Sequence, residues 1–117
     1  MTSAPAAVTP SACVIFTTAA SLEEAQRLAH SLIEARLAAC VQMLPPMTSI
    51  YRWQGQIEQS SEVLMLLKTT RERLPQLEAR LHELHSYEVP ELLILDATAS
   101  QAYATWLHQC VAPASKG

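Results

Sequence analysis

An α+β fold, with helices laid on one face of a mainly antiparallel sheet, is what this sequence predicts. Three observations carry the prediction. Segments rich in β-branched and other apolar residues (12–18, 40–44, 62–69 and 92–98) alternate with segments in which Leu and Ala recur at helical spacing. These segments form two strand-helix-strand units of similar length. Between them Gln54-Gly55 supplies a tight turn, because glycine tolerates the positive φ that hairpins need.

Each element has its own local reason. Residues 1–11 are Ala, Pro, Ser and Thr without periodicity and are expected to be a disordered tail. Ala12 to Thr18 is a buried strand, and Ser21-Leu22-Glu23-Glu24 is a capping box that opens a helix. Leu22, Ala25, Leu28, Ala29, Leu32 and Ile33 bury one face of that helix through about Leu37. Cys40 to Leu44 is a strand stopped by Pro45-Pro46, whose rings remove two ladder donors. Met47 to Trp53 and Gln56 to Gln59 are the arms of the hairpin, and Glu62 to Thr69 is a central strand. Leu74, Leu77, Leu81 and Leu84 line the second helix, with Pro75 marking an irregular first turn. Leu92 to Thr98 is the last strand, and Ser100 caps a final helix whose apolar face holds Tyr103, Trp106, Leu107 and Cys110. The order describes a ferredoxin-like sandwich with an extended β-hairpin and an extra C-terminal helix, in one domain over residues 12–112.

Composition narrows the function classes. Apolar residues make up 50% of the 117 and charged ones 16%, so part of the apolar surface is expected to be covered by another subunit. The net charge is −3 and the basic residues are scattered singly, which excludes a phosphate-binding stripe and nucleic acid as a partner. The longest apolar runs, Val63 to Leu67 and Leu92 to Leu95, are too short to cross a membrane, and Met1 to Pro10 has no basic residue of a signal peptide. A soluble, cytoplasmic chain is expected. Cys13, Cys40 and Cys110 are odd in number and widely spaced, so reduced thiols are expected, with a soft-metal role for Cys13 or Cys40 as the lesser alternative.

Chemistry concentrates in His85-Ser86-Tyr87-Glu88-Val89-Pro90-Glu91, between a leucine-periodic helix and an apolar strand. His85 can be a neutral metal ligand or a proton carrier, Glu88 and Glu91 can accept protons or cations, and Pro90 fixes the backbone that presents them. His82 is three residues from His85, yet two imidazoles lack the further ligands of a defined site. Tyr51 and Trp53 alternate to one side of the hairpin and Arg52 to the other. Glu62 and Lys68 bracket the central strand and are expected at a strand end, a partner surface or a pocket rim. The chain has only Gly55 and Gly117 and no nucleophile motif, so no phosphate loop and no enzyme is expected.

Taken together, Leu37-Ala38-Ala39-Cys40-Val41, the run Ser49 to Ile57, Glu62, Lys68-Thr69-Thr70, His85 to Glu91, Tyr103 and Trp106-Leu107 resemble the CutA family of divalent-cation-tolerance proteins, in family order from about Val14 to about Cys110. The resemblance implies a compact homotrimer, architecture like that of PII-type signalling trimers, and a part in tolerance of copper and other divalent ions. Of the copper ligands suggested in one branch of the family, the cysteine position is Thr17 here and one histidine position is Leu84, which leaves His85 as the metal candidate. Two uses follow from the resemblance. One is weak binding of a divalent cation, copper included, through His85 and nearby groups. The other is a sensor or adaptor that takes a small anion or metabolite in inter-subunit clefts lined by Tyr51, Trp53, Glu62, Lys68, Tyr87, Glu88 and Trp106.

Overall fold

A computed structural model describes residues 10–113. The chain runs β1 (Pro10–Ala19), α1 (Leu22–Glu34), β2 (Cys40–Met43), β3 (Met47–Trp53), β4 (Gln56–Thr69), a single 3-10 turn over Arg71–Arg73, α2 (Leu74–Leu84), β5 (Leu93–Thr98) and α3 (Gln101–Val111). The strands form one antiparallel sheet in the order β2-β4-β1-β5, with β3 also pairing β4. This is the ferredoxin-like order with the predicted arm. The expected tail lies outside the described residues up to position 9, whereas Pro10 and Ser11 already belong to β1.

Alternation along β1 and β4 sorts the sheet into two faces. The pairs Cys13↔Thr69, Ile15↔Leu67, Thr17↔Met65 and Ala19↔Val63 are buried beneath the helices. Leu28 and Leu32 of α1 and Leu77 and Leu81 of α2 complete that core. Truncating one of these leucines to alanine costs about 2–5 kcal/mol by the usual cavity rule. The opposite row holds Val14, Phe16, Leu64 and Leu66, continued by Leu93 and Leu95 of β5, which are exposed. α3 packs against β1 and β4 and covers only part of the sheet.

Helix ends follow their caps. Ser21 accepts from Glu24 N–H at the start of α1. Its end comes at Glu34, three residues before the expected Leu37, because Arg36 turns into the left-handed region (φ 58°) and Leu37 N–H returns to Leu32 O. Gln54 and Gly55 both have positive φ, as the two-residue hairpin requires.

β4 is longer than expected. The two pieces expected at 56–59 and 62–69 are one 14-residue strand, paired on the same side first by β3 and then by β2. Between those two partners, residues 44–46 face only residues 63–64 of β4, a one-residue bulge built at Pro45-Pro46. The extra residue reverses the alternation. Val41 and Met43 pair with the helix-side row of β4, while Met47 pairs with Glu62, Ser49 with Ser60 and Tyr51 with Glu58, all on the other side. The projecting arm raises the radius of gyration to 16.5 Å, against about 13 Å for a compact chain of this length.

Candidate functional site

Where α2 ends, His85 leaves the helix in an extended conformation (φ −74°, ψ 143°) and turns its ring inward. Its side chain is fully buried. Nε2 lies 2.7 Å from Thr18 O, and since a carbonyl can only accept, Nε2 carries the proton. Nδ1 accepts from Tyr87 N–H at 3.0 Å. The imidazole is therefore neutral in this arrangement, and neither nitrogen has a lone pair free for a cation. In this arrangement the lone pair that a metal would need on His85 holds the 85–91 backbone.

Glu24 anchors the same segment from α1. Its Oε1 accepts from Ala20 N–H at 3.0 Å and its Oε2 from Ser86 N–H at 2.8 Å, with His85 Nδ1 3.9 Å from Oε2. Burial pushes the Glu24 carboxyl up, but the hydrogen bonds from Ser86 and Ala20 outweigh it and hold the group below its ordinary value. Tyr87 packs against His85 with ring centroids 4.7 Å apart and planes tilted by 45°, and its hydroxyl donates to Glu62 Oε2 at 2.8 Å. Burial and the bond to Glu62 both push the Tyr87 phenol up, so it stays a donor at every physiological pH. A continuous chain of contacts thus runs Glu24, Ser86, His85, Tyr87, Glu62, from the first helix to the root of the arm.

Above that chain lies a cavity of about 690 Å³. Its wall includes Tyr51, Trp53, Glu62, Tyr87, Glu88 and Glu91, and it carries no lysine or arginine. The proline bulge explains why Tyr51 and Trp53 share a face with Glu62, and the Tyr51 hydroxyl lies 3.2 Å from Ser60 Oγ on the neighbouring strand. Glu62 is 8% exposed, unusual for a carboxylate, whereas Tyr51 and Trp53 are about half-exposed. Burial and the nearby Glu62 charge raise the Glu91 carboxyl.

Five of the residues expected to line a ligand pocket, Tyr51, Trp53, Glu62, Tyr87 and Glu88, are brought together. Lys68 and Trp106 are not. Lys68 lies six residues from Glu62 along β4, roughly 20 Å at the strand rise, with its ammonium 5.9 Å from the centre of the Tyr103 ring, against which Trp106 packs at a tilt of 40°. The lining without a cation also disfavours the anion-binding alternative. His82 is exposed while His85 is buried, so the two imidazoles do not converge. Cys13 is buried against Asp96, and Thr17, at the family's cysteine position, is fully buried under the helices. Among the described residues no three His, Cys, Asp or Glu side chains converge to chelate an ion. Glu24 and Thr18 were not foreseen as part of the site; the capping box pointed to Glu24 only as a helix starter.

The model of the family described as CutA1 divalent ion tolerance protein matches residues 13–110. A divalent-cation tolerance protein CutA from Thermus thermophilus is 44% identical over 97 residues, covering 82% of this chain and 94% of that protein. One from Pectobacterium atrosepticum is 47% identical over 98 residues, covering 83% and 89%. The solved structure of the Thermus thermophilus divalent cation tolerance protein superposes with a TM-score of 0.83 at 42% identity, over 86% of this chain and 99% of that one. On the fold, the matched span and these identities, the chain belongs to the CutA1 divalent ion tolerance family.

Proposed function

We propose that the chain serves divalent-cation tolerance as a homotrimer that holds cations weakly in the carboxylate cavity at the root of the β3–β4 arm. The observation that carries this reading is that Glu62, Glu88 and Glu91 line one cavity free of basic side chains. Carboxylate oxygen and water suit divalent ions generally, copper included, but without thiolate or free imidazole they give modest affinity and little selectivity. His85 enters as the residue that positions Tyr87, and through Tyr87 the Glu62 carboxylate.

Self-association is supported by the sheet face that points away from α1 and α2. Leu93 and Leu95 are 57% and 48% exposed on the protomer, beside the half-buried Phe16, Leu64 and Leu66. A continuous apolar face of this kind calls for a partner surface, and the family resemblance implies three copies. The cavity lies at one end of that face, since Glu62 and Leu64 belong to the same row.

Calorimetric titration of Cu(II) and Zn(II) into the untagged wild type, Glu62→Gln and His85→Gln tests the cation site. Loss of the carboxylate charge is expected to weaken binding about tenfold, the scale of one charge-assisted contact. Affinity unchanged in Glu62→Gln would overturn the assignment. Light scattering tests the assembly: the wild type is expected at three times the 12.9 kDa chain mass, and Leu95→Glu at the monomer mass. A monomeric wild type would contradict the trimer.

A further inference from the structure

We infer that the same cavity takes an organic ammonium ion, a protonated amine with an alkyl body, in addition to inorganic cations. The inference rests on the cation-site reading above and extends it to a ligand class.

Size is the first ground. About 690 Å³ is far more than a hydrated divalent ion occupies and falls inside the range of small-molecule sites. Distribution of charge is the second. Glu62, Glu88 and Glu91 all line the cavity, yet no three such groups among the described residues converge on a chelating point. Carboxylates spread around a wall match a ligand whose positive charges are spaced along a chain.

The wall chemistry is the third ground. Tyr51 and Trp53 stand on the Glu62 side of the arm, 42% and 43% exposed, and Ile50, Val89 and Pro90 add apolar surface. A strongly hydrated metal ion gains nothing from such surface. An alkylammonium ion gains from both, through cation–π attraction to the rings and burial of its methylenes. Glu62, nine-tenths buried and steadied by Tyr87 on one oxygen, supplies the charge that fixes the ammonium end.

The test uses spermidine as the probe, titrated by calorimetry into the full-length assembled protein at physiological salt, with magnesium chloride titrated in parallel. Spermidine is expected to bind the wild type and to persist in the presence of equimolar magnesium. Glu62→Gln is expected to weaken it about tenfold, and Trp53→Leu roughly two- to fivefold, the size of an exposed cation–π contact. Tyr51→Leu serves as the second aromatic variant if Trp53→Leu changes the oligomeric mass. Absence of spermidine binding, equal displacement by magnesium, or aromatic variants with wild-type affinity would overturn the inference. A zinc titration on the same samples separates the two readings. Zinc binding without spermidine binding defeats the ammonium site alone, and spermidine binding without zinc binding defeats the divalent-cation site alone.

Discussion

Replacing Glu24 by glutamine removes one charge from the buried joint between α1 and the 85–91 segment. In the wild type both carboxylate oxygens accept backbone N–H groups, Ala20 at 3.0 Å and Ser86 at 2.8 Å. A glutamine keeps one acceptor and turns an amide NH₂ toward the other N–H. One charge-assisted bond, worth about 1.5–3 kcal/mol, is lost and a part-buried donor is left unsatisfied, so a destabilisation of about 2–4 kcal/mol is expected. The pH dependence provides an independent check. Glu24 titrates below its ordinary value of 4.5 in the folded chain, so between those two values the unfolded state binds more protons. Its contribution is present above pH 4.5 and is lost as pH falls through the folded value. Urea midpoints at fixed protein concentration, measured from about pH 7 down to about pH 3, are expected to fall less steeply for Glu24→Gln than for the wild type. A cost under about 0.5 kcal/mol, within the range of an ordinary surface change, or parallel pH profiles would refute the reasoning.

Three further outcomes follow from the same geometry. Tyr87→Phe deletes the donor to Glu62 Oε2 and is expected to lower stability by about 1–3 kcal/mol; an unchanged denaturation midpoint would show that the bond is not formed. Thr17 Oγ1 is buried without a hydrogen-bond partner, so Thr17→Val, which removes the hydroxyl at equal volume, is expected to raise stability by about 1 kcal/mol, read by the same denaturation assay. Glu91 titrates above its ordinary value of 4.5 through burial and the Glu62 charge, and its folded-state penalty grows as pH rises through the raised value. A bound cation relieves that penalty, so binding at a pH between the ordinary value of 4.5 and the raised one is expected to release a proton, seen as a dependence of the calorimetric heat on the buffer's ionisation enthalpy.

The core was legible in the sequence because burial imposes period: the leucines of α2 and the β-branched run of β1 announce their faces. The join between the two expected pieces of β4 was not, since Ser60-Ser61 carries no apolar residue to mark a strand, and pairing with Ser49 and Thr48 of β3 makes it one. Pro45-Pro46 read as a stop, which it is for β2; that the chain resumes on β4 with a reversed face depends on a register no local signal contains. In the site, Tyr51, Trp53, Glu62, Tyr87 and Glu88 were legible as polar or aromatic residues at turns and strand ends. The surroundings of His85 were not, because a ligand histidine and a buried strut have the same side chain, and only the fold brings Thr18 O and Tyr87 N–H to its two nitrogens. Lys68 stands apart from this cavity within one chain because six residues of extended strand separate it from Glu62.

In the proposed site carboxylates, not His85, face the cation. Long-range ¹H–¹⁵N correlation of the His85 ring during a zinc titration tests it most directly. A ring protonated on Nε2 is expected to keep its nitrogen shifts throughout, while the side-chain signals of Glu62 and Tyr87 move. A His85 nitrogen that shifts to a metal-bound value in step with zinc occupancy would contradict it.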